Sequence, residues 1–318
     1  MQRFRNILVG VDLSHADHLA TTELNPPTQE AVNRALWLAE TLSAELTFFS
    51  AIDVSVHTQE LLHSAYEQAS QNVEQQAGQV LQELVSRAKG NNIEAKYKLS
   101  FGLPWEETIR QVLRDKHDLV IVGTRDHSRA GRLLFGSTGM KLLRSCPCPV
   151  WVTRPEEIPE EFKILVASDF SDVSQLALEM AINGSQLTDA KVTLLHALDT
   201  HLGQRMLLTG MRPEELQDFR NNLREQAEHT LHDQLSQTDY RTLTHGVRVD
   251  VVEGPADVVI LDAIEEQEID LLVMGTIARS GISGMLVGNT AEQLLNQVSC
   301  SVLAVKPPDF ECPVTLDD

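Results

Sequence analysis

The sequence predicts an α/β protein made of two similar domains, each built on a parallel sheet. Short apolar strands alternate with amphipathic helices throughout the chain, as is typical of β-α-β units with right-handed crossovers. The same order of segments also occurs twice, since ILVGVDLS at Ile7 is similar to ILVASDFS at Ile164. Three later pairs of segments recur 152 residues apart, beginning at Gly102 and Gly254, at Asp118 and Asp270, and at Val150 and Val302. Nearly constant spacing over four segments indicates a duplicated chain.

The first half predicts five strands separated by four helices. The predicted strands are, in order, NILVGVD, LTFFSAID, IEAKYKL, DLVIVG and PVWVT. Apolar residues at helical spacing mark the helices between them, such as Ala31, Ala35 and Leu38 in the first. Helix GLPWEETIRQVLRDK has Pro104 in its first turn, where a missing N–H is tolerated.

The segment RPEEIPEEF, at about residues 154–162, predicts the boundary between the domains, because it is short, acidic and contains two prolines. We therefore expect one domain at 1–155 and a second at 156–318. The acidic tail, 308–318, is expected to be mobile or draped over the protein. Segment 201–220, rich in Met and Leu, is either a packed loop or a lid over an apolar ligand.

The composition excludes several classes of function. Among 318 residues, 46 are acidic and 26 basic, and the net charge of −20 argues against nucleic-acid and anionic-membrane partners. No apolar run approaches the roughly 20 residues of a membrane span. The four cysteines form no CxxC pair, which predicts no metal site and no disulfide framework. We expect a soluble, reduced, cytoplasmic protein.

One loop in each half has the composition of an anion-binding site. Residues 123–138, GTRDHSRAGRLLFGST, and residues 275–290, GTIARSGISGMLVGNT, each leave an apolar strand and enter a helix. Glycines permit a tight turn and a close approach of backbone N–H groups to a bound anion.

ILVGVDLS, the AID after the second strand, and Gly123 with Gly136-Ser137 together resemble the universal stress protein family, in a tandem-domain form. This resemblance implies two tandem Rossmann-like, adenine nucleotide alpha hydrolase-like domains, each a five-stranded parallel sheet with helices on both faces. It also implies that PVWVT and SVLAV pair the two halves as an intramolecular pseudo-dimer, and it is compatible with a homodimer. The implied role is a cytoplasmic stress response.

The resemblance further implies a ligand, ATP or another adenine nucleotide, with or without Mg²⁺. Asp12 and Asp169 match the family's positions on the adenine or ribose side, and Leu46 and Val192 match those for adenine packing. We add Arg125 and Arg129 as candidate anion ligands, with a solvated loop as the alternative. The positions on the phosphate side are Gly123, Gly136, Ser137 and Thr138 in the first half, and Gly275, Gly288, Asn289 and Thr290 in the second.

Both loops depart from the family pattern, Gly-x-x-Gly, nine residues, then Gly-Ser or Gly-Thr, because the second glycine is Asp126 in one half and Ala278 in the other. A carboxylate about 6 Å from a phosphate costs about 2 to 3 kcal/mol at an effective dielectric near 20. In the second half, Asn289 and Glu292 predict a capping box that would occupy the helix donors. In the first half Ser137 can cap but Met140 cannot complete the box, so the first half is the better candidate.

The sequence predicts no catalytic residue and no metal ligand. No lysine follows Gly136, so Walker A chemistry is incomplete, and neither GxSxG nor HExxH occurs. Asp12 and Asp169 also suit Asx turns that hold the strand-to-helix loops, and His127 suits an exposed loop. Three hypotheses follow: weak nucleotide binding with signalling by conformation or protein partners, a non-binding scaffold or regulator, and, least favoured, a weak ATPase.

Overall fold

The structure is a computed structural model that describes residues 4–14, 24–53, 63–124, 136–155, 159–198, 212–276, 289–295 and 297–316. The side chains of 63–72, 213, 289, 290 and 292 lie outside the described part. The chain forms two compact units. The first unit consists of 2–157 together with 309–318, and the second consists of 158–308.

The first unit contains a five-stranded parallel sheet in the order β3-β2-β1-β4-β5. The strands and helices predicted from the sequence are observed. Their bounds are β1 (Asn6–Gly10), α1 (Pro26–Leu42), β2 (Glu45–Ile52), α2 (His63–Gly90), β3 (Ala95–Phe101), α3 (Pro104–Asp115), β4 (Leu119–Gly123), α4 (Ser137–Ser145) and β5 (Val150–Thr153).

The strand order reverses direction at β1, and this reversal places helices on both faces of the sheet. Strands β1, β2 and β3 succeed one another in one direction, whereas the chain crosses to β4 and β5 in the other. Because each crossover is right-handed, α1 and α2 cover one face and α3 and α4 cover the opposite face. Neighbouring strands β1 and β4 therefore form the topological switch point, where doubly wound sheets bind ligands.

The second unit repeats this fold with the order β8-β7-β6-β9-β10, again parallel throughout. The predicted duplicated α/β architecture is thus confirmed. The elements are β6 (Lys163–Ala167), α5 (Asp172–Thr188), β7 (Lys191–Leu198), α6 (Pro213–Ser236), a 3₁₀ turn (Tyr240–Thr242), β8 (Val247–Glu253), α7 (Ala256–Gln267), β9 (Leu271–Gly275), α8 (Asn289–Leu295) and β10 (Ser301–Val305).

Equivalent carboxylates hold the amino ends of the central strands in both units. Asp118 accepts hydrogen bonds from the backbone N–H groups of Arg5 (2.7 Å) and Asn6 (3.1 Å). Asp270 accepts one from the N–H of Lys163 at 2.8 Å. Each carboxylate satisfies backbone donors where β1 and β6 begin, and so it stabilises the strand register at the edge opposite the switch point.

The carboxyl-terminal segment packs against the first unit. The Cys312 thiol donates to the backbone carbonyl of Ser145 at 3.5 Å, and Val314 is 8% exposed. The sequence assigned the tail 308–318 to the second domain by its position in the chain, whereas 309–316 cluster with the first unit. The sequence predicted a tail that is either mobile or draped over the protein, and the described part of the tail is draped.

None of the helices in the described ranges is both long enough and apolar enough to span a bilayer. The same ranges contain no cluster of three or more His, Cys, Asp or Glu side chains placed to hold a metal ion.

His117 makes the stability of the first unit dependent on pH. Its side chain is 4% exposed, and this burial lowers its pKa from 6.5 to about 4. Since the unfolded chain binds the proton at higher pH than the folded chain, stability falls as the pH drops from about 6.5 to about 4, by about 3 kcal/mol in total. We expect His117→Phe to reduce the change of the urea midpoint of unfolding across this pH range.

Tryptophan fluorescence reports on the first unit alone, because all three tryptophans, Trp37, Trp105 and Trp151, belong to it. Urea titrations followed by tryptophan fluorescence at pH 7, 5.5 and 4.5 measure this dependence. His229→Gln is the control, because that side chain is 78% exposed. An equal acid dependence in wild type and His117→Phe would exclude this histidine as the cause.

Candidate ligand-binding site

A cavity of about 330 Å³ lies at the switch point of the first unit, at the carboxyl ends of β1, β2 and β4. Its other sides are formed by the start of α4 and by parts of α1 and α3. The lining residues are Gly10, Val11, Asp12, Leu13, Ser14, Thr28, Phe49, Ser50, Ala51, Ile52, Asp53, Pro104, Thr108, Val122, Gly123, Thr124, Gly136, Ser137, Thr138 and Gly139. The volume suits a small ligand.

The inner wall of the cavity combines apolar side chains with hydroxyl groups. Val11 and Phe49 are buried there, and the Val11 N–H donates to the Phe49 carbonyl at 2.8 Å, which fixes the loop after β1 to β2. Thr28 and Thr108 add hydroxyl groups, and the Thr108 hydroxyl donates to the Pro104 carbonyl at 2.6 Å. Such a wall suits a flat, weakly polar group.

Asp12 and Asp53 are the charged residues among those that line this cavity. The Asp12 Oδ1 accepts from the Ser14 N–H at 2.9 Å and from the Ser14 hydroxyl at 2.6 Å. In the second unit, Asp169 Oδ1 accepts from the equivalent groups of Ser171 at 3.1 and 2.5 Å. The Asx turn, one of the two roles predicted for these aspartates, is therefore present in both units.

The amino-terminal end of α4 faces the cavity without a side-chain cap. Gly136 is the N-cap residue and makes no side-chain hydrogen bond, and the first turn has no acidic residue. The sequence predicted that Ser137 can cap this helix. Ser137 is instead the first residue of the helix, so this prediction was wrong. Backbone donors from Ser137 to Gly139, together with the helix dipole, favour a bound anion.

Gly123 permits α1 to approach the end of β4 closely. A Cβ atom at Gly123 would lie 2.3 Å from the Pro27 carbonyl oxygen and 2.5 Å from its carbon. At the equivalent Gly275, the nearest atom is the Val173 Cγ1 at 2.9 Å, a side-chain atom that can move. The glycine that the sequence assigned to phosphate contact in the first half thus also has a packing role.

Leu46 and Val192 lie near the amino ends of their strands. Leu46 pairs with Ile7 near the amino end of β2, is fully buried, and does not line the cavity. Val192 pairs with Ile164 at the same place in the second unit. At about 3.3 Å per residue, the lining residue Phe49 is about 10 Å further along the strand. Leu46 thus lies outside the described lining of the cavity, which includes Phe49, Ala51 and Ile52, and the two adenine-packing assignments stay predictions.

Several predicted site residues lie outside the described part of the structure. They are Arg125 and Arg129 in the first loop and Gly288 in the second, as well as Asp126, His127, Arg132 and Ala278. Asn289 and Thr290 begin helix α8, but their side chains lie outside the described part. The arginine hypothesis, the effect of Asp126 and the capping box at Asn289 therefore stay predictions. The segment at 201–211 also lies outside.

Two stacked rings lie at the equivalent position in the second unit. Aligning LTFFSAID with VTLLHALD pairs Ser50 with His196, and aligning the loops pairs Leu13 with Phe170. The rings of Phe170 and His196 stack with centroids 3.9 Å apart and an interplanar angle of 26°, and the His196 Nδ1 is 2.8 Å from the Ser168 carbonyl oxygen. The side chains that line the first cavity are thus replaced by bulkier ones that pack on each other.

A buried polar cluster lies next to these rings in the second unit. The Ser168 hydroxyl donates to the Gln234 amide oxygen at 2.8 Å and lies 3.2 Å from the Ser174 hydroxyl. Ser168 is equivalent to Val11, which lines the first cavity. This packing was not predicted from the sequence, although the aligned pair Ser50 and His196 was a signal that could have revealed it.

Two repeats of a doubly wound sheet, with a cavity at the switch point of the first, define a tandem α/β protein of the Rossmann-like class. The chain belongs to the universal stress protein family, whose model matches residues 3–154 and 162–306. Membership of this family makes it a stress-response protein.

The chain is similar along its whole length to known tandem members. It is 28% identical to universal stress protein E of Salmonella typhi, and the alignment covers 100% of this chain and 99% of that protein. Among solved structures, a protein of unknown function from Pseudomonas aeruginosa PAO1 has a TM-score of 0.65 at 21% identity, covering 96% of this chain and 94% of that one. A universal stress protein from Archaeoglobus fulgidus has a TM-score of 0.65 at 18% identity, covering 95% and 98%. These two likenesses support the fold.

Proposed function

We propose that the first unit binds an adenine nucleotide or a related small ligand weakly, and that the protein signals through conformation or protein partners. The observation that carries this proposal is the difference between the units. The switch point of the first unit is a lined cavity beside an uncapped helix terminus, whereas in the second unit Phe170 and His196 stack at the equivalent place. The first geometry offers apolar side chains for a base and helix N–H groups for a phosphate.

The cavity matches the parts of a nucleotide in order. The apolar wall at Phe49 and Ile52 suits the base, and the carboxylate of Asp12 suits a ribose hydroxyl, since a charged acceptor strengthens a hydrogen bond. The N–H groups that begin α4 suit a phosphate. Mg²⁺ bound to the phosphates would offset the repulsion from Asp12 and Asp53.

The scaffold hypothesis also has an observation in its favour. The stacked rings in the second unit show that the same fold accommodates bulkier side chains at the place of the first cavity. If the first unit binds no nucleotide, a role in which both units serve as protein-binding modules becomes the better conclusion.

Asp12→Ala should weaken ATP binding at least about tenfold, since the loss of a charged hydrogen bond costs about 1.5 to 3 kcal/mol. Asp169→Ala is the matched control, because that residue makes the same Asx turn beside the stacked rings. It should bind like wild type. Calorimetric titration with ATP and Mg²⁺ measures both, after native mass spectrometry of gently purified protein has shown which ligand it retains.

Ser14→Ala separates the Asx turn from ligand contact, because it removes the hydroxyl that donates to Asp12 but leaves the carboxylate. Equal losses in Ser14→Ala and Asp12→Ala would assign the effect to the turn. Equal losses in Asp12→Ala and Asp169→Ala would place the ligand elsewhere. If wild type neither retains nor binds a nucleotide, the scaffold function replaces the proposed one.

A further inference from the structure

Two thiols face each other at the junction of α4 and β5. The Sγ atoms of Cys146 and Cys148 are 3.6 Å apart, and both side chains are buried. Cys146 is the C-cap residue of α4, and its N–H donates to the Leu142 carbonyl at 2.9 Å. Pro147 separates the two cysteines and Pro149 follows them, so the backbone here has few alternative conformations. The thiols are therefore held together by the fold.

The second unit provides an internal comparison, because it lacks the pair. Val298 and Cys300 occupy the positions equivalent to Cys146 and Cys148, and both are buried. The fold therefore tolerates a valine at the first position. A core position that a valine can fill does not need a thiol for packing alone, so the paired thiols of the first unit call for another explanation.

We propose that Cys146 and Cys148 are a redox-active dithiol that is oxidised to an intramolecular disulfide. A disulfide requires an Sγ–Sγ distance of about 2.05 Å, so each sulfur has to move by about 0.8 Å. Such a displacement is within reach of a side-chain rotation. The disulfide would join two cysteines that have one residue between them. Small strained disulfides of this kind are readily reduced again. The site therefore suits a reversible modification.

The co-reactant is a small disulfide, such as oxidised glutathione. The thiolate of one cysteine attacks a sulfur of the small disulfide, forms a mixed disulfide and releases one small thiolate. The second cysteine then attacks the protein sulfur of this mixed disulfide and releases the other. In total, two protein thiols lose two electrons and two protons, and the small disulfide becomes two thiols.

Cys148 is the residue that the structure favours for the first attack, because it is 9% exposed whereas Cys146 is 0% exposed. The hydrogen bond with Cys146 and, after it, burial raise the pKa of the Cys148 thiol well above its usual value, which makes the reaction slow at neutral pH and faster as the pH rises. Cys312 lies on the other side of Ser145 and is more accessible, so it is the competing thiol.

The test is a titration of the full-length native chain with oxidised and reduced glutathione at fixed ratios, followed by acid quenching and alkylation of the remaining thiols. We expect wild type and Cys300→Ala to lose two alkylatable thiols each, reversibly with dithiothreitol. Cys146→Val, which copies the second unit, should form no intramolecular disulfide, with a urea midpoint near that of wild type. Trypsin leaves both cysteines on one peptide after Arg144, and this peptide should lose the mass of two hydrogen atoms.

Three results would overturn the proposal. One is retention of both thiols in native wild type at the most oxidising ratio. Another is a disulfide that maps to Cys312, in which case Cys312→Ser removes it. The third is loss of the thiols only in urea, which would make the pair a property of the unfolded chain.

Discussion

Gly123→Ala should destabilise the first unit by about 3 kcal/mol, the largest effect on stability that we expect from one added carbon atom. The new Cβ would lie 2.3 Å from the Pro27 carbonyl oxygen, which is part of the backbone of α1. A backbone atom in the first turn of a packed helix cannot rotate away as a side chain does, so α1 has to shift relative to β4. Tryptophan fluorescence in urea measures this loss in the first unit.

The chain offers two matched glycine controls. Gly275→Ala should cost only about 1 kcal/mol, because its Cβ would meet the side chain of Val173, which can adjust. Gly139→Ala should be neutral or stabilising, since nothing lies within 4 Å of its new Cβ and alanine favours a helix. Hydrogen exchange measured by mass spectrometry separates the two units. If Gly123→Ala and Gly275→Ala cost the same, the close approach of α1 is not the determining contact.

Transferring the second unit's ring pair to the first should abolish ligand binding. The double variant Leu13→Phe with Ser50→His places both rings among residues that line the cavity. We expect ATP affinity to fall at least about a hundredfold, equivalent to about 3 kcal/mol, because the volume for the base is lost. The urea midpoint of the first unit should change little, since the added side chains enter existing space. Calorimetric titration and tryptophan fluorescence measure the two quantities.

The reciprocal variant, Phe170→Leu with His196→Ser, is the control for this transfer. It removes a ring pair worth about 1 kcal/mol from the second unit and should leave ATP affinity in the first unchanged. Nucleotide binding that survives Leu13→Phe with Ser50→His would show that the base lies outside this cavity. Binding of ATP to the second unit of the reciprocal variant would show that the ring pair alone prevents binding there.

The sheets could be predicted from the sequence because the information that defines them is local and repeated. Apolar runs such as LVIVG fix buried strands, and the recurrence of each run fixed the duplication. Helix α4 begins at Ser137, as the segment STGMKLLRS predicts, but its N-cap is Gly136 and not Ser137, because capping depends on the conformation of a single residue.

The candidate site could be predicted only where a residue's identity determines its role. Asp12 and Gly136 lie at the cavity because loops after parallel strands converge at the switch point. Leu46 could not be placed in this way because its apolar character is the same at either end of a strand. The ring stack of the second unit depends on how Phe170 and His196 pack together. The sequence does not specify that packing without coordinates.

The docking of the tail on the first unit also affects the order in which the protein can fold during its synthesis. Val314 and Cys312 pack with the first unit but leave the ribosome after the whole second unit. At about 5 to 20 residues per second, roughly 8 to 30 s separate translation of the two parts. During this interval, the nascent first unit exposes the surface that the tail later covers. Completion of the first unit therefore has to wait until the second unit has been synthesised.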